Sequence, residues 1–148
     1  MRPAALFRLL VVVMAAAALL VAPAAAQAAP SGDVANPADI LVGKWVGSFH
    51  GYLNGAYVEG QEKIVVTSAR GNAAVGTWQY RMASSDPWSA PQPVQFLVSV
   101  GHTGMVHVRG ADSAGTYDGH MASRNRLVLD YMGSMPNLQT FQFNLRRK

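Results

Sequence analysis

From Ile40 onward, apolar and polar residues alternate with a period of two, and the runs are separated by clusters of Gly, Asn, Ser, Asp and Pro. Period two marks a half-buried β-strand, and the clusters are turn chemistry. Eight runs are legible, at residues 44–50, 56–69, 73–82, 94–100, 104–110, 115–121, 126–132 and 138–147. No stretch carries a helical period. In the last run Phe141, Phe143 and Leu145 share one face, and Thr140, Gln142 and Asn144 the other. In the seventh, Leu127, Leu129 and Tyr131 oppose Val128, Asp130 and Met132. Val94, Phe96, Val98 and Val100 share a face of the fourth, and Ala74, Gly76, Trp78 and Tyr80 a face of the third. A hairpin turn near Met135 is expected to set Leu129 beside Phe141 and Leu127 beside Phe143. Eight short antiparallel strands, each with one apolar face, predict an all-β closed up-and-down barrel, which leaves no exposed sheet edge. A two-sheet β-sandwich is the alternative.

The N-terminal part follows a different pattern. Arg2 and Arg8 form a basic start, residues 9–22 are an unbroken apolar run, and Ala26-Gln27-Ala28 is a small-x-small site. These are the three parts of a secretory signal. The run is shorter than the roughly 20 residues of a membrane-spanning helix. Residues 1–28 therefore read as a cleaved signal peptide, 29–39 as a Pro- and Ala-containing lead-in, and 40–148 as one domain. The expected location is outside a bacterial cytoplasm, in periplasm or medium, with no permanent membrane anchor.

Composition sharpens this picture. The signal segment accounts for 23 of the hydrophobic residues in the 148-residue chain, so the rest is less apolar than the overall 50% implies. Without Arg2 and Arg8 the formal net charge falls from +4 to +2, too little to argue for nucleic acid. The absence of cysteine excludes disulfides, a Cys-ligated zinc site and a lipoprotein anchor. The glycines punctuate strands and lack the strand-to-helix setting of a phosphate-binding loop.

Gly43-Lys44-Trp45 opens the first run, and Arg146-Arg147 closes the last. In this the chain resembles the calycins, which include lipocalins, fatty-acid-binding proteins and avidins. In that group a Gly-x-Trp begins strand one, and in lipocalins a basic side chain near the end of the barrel packs across the Trp. The resemblance implies a lipocalin/avidin-like barrel whose closed end is plugged by Trp45, with Arg146 or Arg147 over its ring as a cation–π pair. It also raises the expectation of ligand binding, without naming a ligand.

If Trp45 lies at the base, the connections at 70–72, 101–103 and 122–125 return there. Those at 51–55, 83–93 and 133–137 lie at the opposite rim and are longer and richer in large side chains. The rim collects Tyr52, Leu53, Tyr57, Trp88, Met132 and Met135. Trp88 sits in a loop with three prolines, where it acts either as a binding surface or as a lid folded onto the core. The inward aromatics Trp78, Tyr80, Phe96, Tyr117, Tyr131, Phe141 and Phe143 either line a cavity or fill the interior, since eight strands leave room for side chains or one small ligand.

A turn centred on Asp112-Ser113 would pair Arg109 with Thr116, His107 with Asp118 and Met105 with His120. A His–carboxylate pair can orient a general base, but here it falls on the polar face without a nucleophile, as a surface pair. His50, His102, His107 and His120 show no metal-ligand spacing. Arg124/Arg126 and Arg146-Arg147-Lys148 read as a solvated basic face at the base. The sequence thus points to an exported, non-enzymatic binding protein without metal or cofactor. Its expected partner is a small apolar molecule, held near Trp78, Tyr80 and Phe96, or a secreted protein docking on Trp88, with Tyr52, Tyr57 and Met135 contributing at the rim. An enzyme using His107 and Asp118 is the third reading.

Overall fold

The computed structural model describes residues 36–134 and 137–148. The expected signal segment, most of the lead-in and Met135 lie outside the described residues. A short 3-10 helix (Pro37–Leu41) precedes eight strands: β1 (Gly43–Leu53), β2 (Ala56–Arg70), β3 (Ala73–Arg81), β4 (Gln92–Val100), β5 (Val106–Ala111), β6 (Gly115–Ser123), β7 (Arg126–Gly133) and β8 (Gln139–Arg147). Each strand pairs antiparallel with its neighbour in the chain, and β8 pairs back onto β1. The fold is a closed eight-stranded up-and-down barrel, and the sandwich alternative falls with the closure.

Alternation places the faces as expected. Trp45, Phe49, Ile64, Val66, Ala74, Val94, Phe96, Val98, Val108, Tyr117, Leu127, Leu129, Phe143 and Leu145 are buried in one core. Several positions need glycine for lack of room, two of them beside large inward rings. A Cβ at Gly60 would come 2.7 Å from Phe49 Cζ, and one at Gly110 would come 2.5 Å from Phe96 Cδ1. Both glycines let a large inward ring lie flat against the neighbouring strand.

The 3-10 helix corrects the expectation of no helix. Proline in its first turn presets φ, and Ala38 and Leu41 are fully buried against the strands. Burying Leu41 is worth about 1.5–3 kcal/mol, which outweighs the weak local preference of so short a segment. The helix lies at the base. Trp45 Nε1 donates to Leu41 O at 2.7 Å. The Arg147 guanidinium lies 4.4 Å from the Trp45 ring centre and donates to the carbonyls of Val42 (2.6 Å) and Ile40. Of the two candidate arginines, Arg147 covers the plug, and Arg146 points outward beside Arg126.

Two hairpins differ in register from the local count. In β5–β6, His107 stands opposite His120, and Asp118 opposite Arg109. The turn is centred on Ser113-Ala114, because Asp112 bonds backbone to Gly115 O at 3.1 Å and its Oδ1 accepts the N–H groups of Ala114 and Gly115, both at 2.8 Å. In β7–β8, Leu129 stands opposite Phe143, and Leu127 opposite Leu145. Here the start of β8 is held by the β1–β2 turn. Asn54 donates its backbone N–H to Leu138 O (2.9 Å), and its Oδ1 accepts the Leu138 N–H (3.1 Å). Both shifts are of two residues, so every side chain keeps its face. The connection expected over 51–55 is only Asn54-Gly55, both with positive φ (50° and 82°), the hallmark of a tight Asn-Gly hairpin turn.

Candidate functional site

The barrel interior divides into two halves. Around Trp45, Ile64, Leu127, Leu129 and Leu145 the interior is filled. Towards the rim it opens into a cavity of about 270 Å³. Phe49, Tyr117, Tyr131, Phe141, Phe143, Trp78 and Tyr80 form its aromatic walls, and Leu53, Val58 and Met82 add aliphatic surface. Asn137 and Gln139 stand with Leu53 and Met82 at the rim end. The rings are in mutual contact: Tyr117–Tyr131 centroids are 4.7 Å apart, Phe49–Phe141 5.3 Å and Trp78–Tyr80 5.8 Å.

One acid enters this wall. Glu62 lies on the inward face of β2 between Gly60 and Ile64, is 1% exposed, and is the buried charged residue of the core. Its Oε1 has no hydrogen-bond partner, nor does the buried Trp78 Nε1. Burial pushes the Glu62 carboxyl well above the usual carboxylate range, and the charge of Asp112 adds to the rise. A buried polar atom without a partner costs free energy that a ligand supplying the partner recovers.

Asp112 is different. Besides the two turn amides, it accepts the hydroxyls of Tyr117 at 3.0 Å and Tyr131 at 3.2 Å. Four donors on one carboxylate satisfy it and fix its position. They also pin two inward tyrosines of β6 and β7 to the β5–β6 turn. Burial, followed by the charges of the two carboxyls, raises the Tyr117 hydroxyl far above its ordinary value. Burial and Asp112 do the same for Tyr131. These hydroxyls therefore remain neutral donors to Asp112.

The candidates from the sequence separate accordingly. Trp78 and Tyr80 line the cavity. Phe96 does not: it is 2% exposed in the filled interior, against Tyr117 at 5.9 Å. Tyr52 and Tyr57 are at rim height but on the outer wall, edge-on to each other at 5.8 Å, and Met132 is likewise exposed outside. Trp88 is neither a lid nor at the mouth. Ser89 bonds along β3, giving its N–H to Tyr80 O (2.8 Å) and accepting from Gln79 Nε2 (2.6 Å). This lays the loop on the outside of the barrel. Trp88 packs there, half-buried, with Lys63 Nζ and the Arg81 guanidinium each 4.6 Å from its ring centre.

His107 and Asp118 do not pair. Asp118 faces Arg109 at 3.8 Å, with both side chains over 70% exposed on the outer wall. Among the described residues no three His, Asp or Glu side chains converge as a metal site would need.

No family model matches the chain, and no curated protein matches it. Solved structures do. Rv2717c from M. tuberculosis aligns at 13% identity over 74% of this chain and 93% of its own, with a TM-score of 0.50. The S-type phycobiliprotein lyase CPES from Guillardia theta aligns at 8% identity over 74% of this chain and 89% of its own, with a TM-score of 0.49. A redesigned β-barrel aligns at 14% identity over 76% and 96%, with a TM-score of 0.48. At such identities the likeness is one of fold.

Proposed function

We propose that this chain is a binding protein that holds a small, largely apolar molecule in the rim half of a calycin-like barrel. We propose further that it does so outside the cytoplasm, after removal of residues 1–28. The observation that carries the reading is the rim cavity itself: about 270 Å³ walled by aromatic rings, with an unpaired buried carboxyl. Apolar walls with one or two fixed polar groups are the usual composition of a small-molecule site. Its volume lies just below the roughly 300–1,000 Å³ of drug-sized pockets, which favours a compact ligand. A binding role is favoured over catalysis because Glu62, the acid inside the barrel, has no hydrogen-bonded base or nucleophile beside it.

Native mass spectrometry of the protein from a bacterial host is expected to show a bound small molecule and a chain beginning at Ala29. A Val58→Phe variant, which fills the cavity from β2, is expected to fold and to lose that molecule. Retention of the molecule by Val58→Phe would refute the site.

A further inference from the structure

The charge distribution around the cavity narrows the ligand class, an inference that rests on the reading above. Among the described residues, no Lys, Arg or His lines the cavity. The acids near it are Glu62, in the wall, and Asp112, whose field reaches both Glu62 and Tyr117. Asp112 has its donors in the two tyrosine hydroxyls and two backbone amides. The tyrosines thus have no donor to spare for Glu62, whose Oε1 is left bare. The surrounding rings present faces of negative quadrupole, which attract cations.

We propose that the cavity takes a small amine, an ammonium group on one apolar or aromatic body, with Glu62 as its counter-ion. An ammonium supplies the donor that Glu62 lacks and the positive charge absent from the walls. A carboxylate ligand finds no cation in the lining and meets the field of Asp112, and is disfavoured. The titratable groups facing Glu62 across the cavity are Tyr80 on β3, Asp112 in the β5–β6 turn, Tyr117 on β6 and Tyr131 on β7; β1 and β8 present Phe49, Phe141 and Phe143. With the cavity empty, burial favours the protonated form of Glu62. Seating an ammonium expels that proton to solvent, leaving a carboxylate–ammonium pair. Amine affinity therefore rises with pH, by up to about tenfold per unit for one released proton, until the amine itself loses its charge.

The test is calorimetric titration of the full chain with four phenyl probes of similar size: 2-phenylethylamine, 2-phenylethanol, 1-phenyl-2-propanone and phenylacetate. The amine is expected to bind at least tenfold more tightly than the alcohol and ketone at pH 7, with heats that vary with the buffer's ionisation enthalpy, and phenylacetate is expected not to bind. Glu62→Gln is expected to bring the amine down to the level of the alcohol. The ranking of probes on the unmodified chain decides the matter even if that variant does not fold. Equal or tighter binding of the ketone, where Glu62 and Trp78 Nε1 act as neutral donors, overturns the amine assignment and leaves the cavity reading standing. So does an amine affinity unchanged in Glu62→Gln. If none of the four binds and Val58→Phe changes nothing, the cavity reading falls as well.

Discussion

The two ends of this barrel solve opposite problems with the same strands. At the base, the largest buried side chain, Trp45, has its ring covered by Arg147 and its N–H bonded to Leu41 O, and a 3-10 helix closes the opening. At the rim, equally large rings stand around a space instead of filling it, and Glu62 and Trp78 keep buried polar atoms without partners. The base has the close packing and polar pairing that lower free energy. The rim leaves polar atoms that its own side chains do not pair. Stability is concentrated at one end so that the other can remain incomplete, the usual relation between a scaffold and its site.

Substitutions break this contrast in order of size. Trp45→Ala removes the plug and is expected to cost about 3–5 kcal/mol, read as a collapse of the urea midpoint. Arg147→Met keeps the stem but removes the guanidinium. It leaves the Ile40 and Val42 carbonyls without their donor, at an expected cost of about 2–3 kcal/mol with ligand binding preserved. At the rim the sign reverses. Glu62→Met replaces an unpaired buried acid with an apolar side chain of similar length and is expected to stabilise the empty protein by about 1–2 kcal/mol at pH 7 while abolishing selective binding.

That gain has a pH signature. The folded-state pKa of Glu62 lies above its unfolded value, so its contribution to stability is greatest in acid and is lost as pH rises through the folded value. The advantage of Glu62→Met is therefore expected to be smallest near pH 4 and to widen towards neutrality in urea titrations. An advantage independent of pH would mean that the gain is one of packing. Smallest of all, Asp118→Asn on the outer wall is expected to shift stability by under about 0.5 kcal/mol, seen as a melting curve that superimposes on that of the parent.

The base was legible in the chain, the rim only in part. Gly43-Lys44-Trp45 and the terminal arginines marked the plug through the resemblance they carry, and alternation marked the inward rings because that signal is local. Two registers were not legible by counting hairpin residues, because side chains set them. Asp112 recruits two amides to centre its turn, and Asn54 reaches from another hairpin to hold Leu138. Trp88 looked stranded at the mouth because its cationic neighbours, Lys63 and Arg81, come from strands the loop leaves behind. Glu62 was missed although its signal was present. In β2 the register Val58, Gly60, Glu62, Ile64, Val66 puts a carboxylate where the pattern calls for an apolar residue, and a polar residue on a core-facing register is a pointer to function.

The seam between β1 and β8 has a consequence for how the molecule comes together. The other strand pairs join chain neighbours, and such hairpins form in about 1–10 μs. The seam instead joins residues far apart in the chain, from Leu53 with Gln139 at one end to Trp45 with Arg147 at the other. Bringing such distant segments together carries a loop-closure entropy of about 4 kcal/mol, so this pairing is expected to follow the hairpins. Phe49 stands on one side of that seam and Phe141 and Phe143 on the other. The cavity therefore has no complete wall until β8 docks on β1.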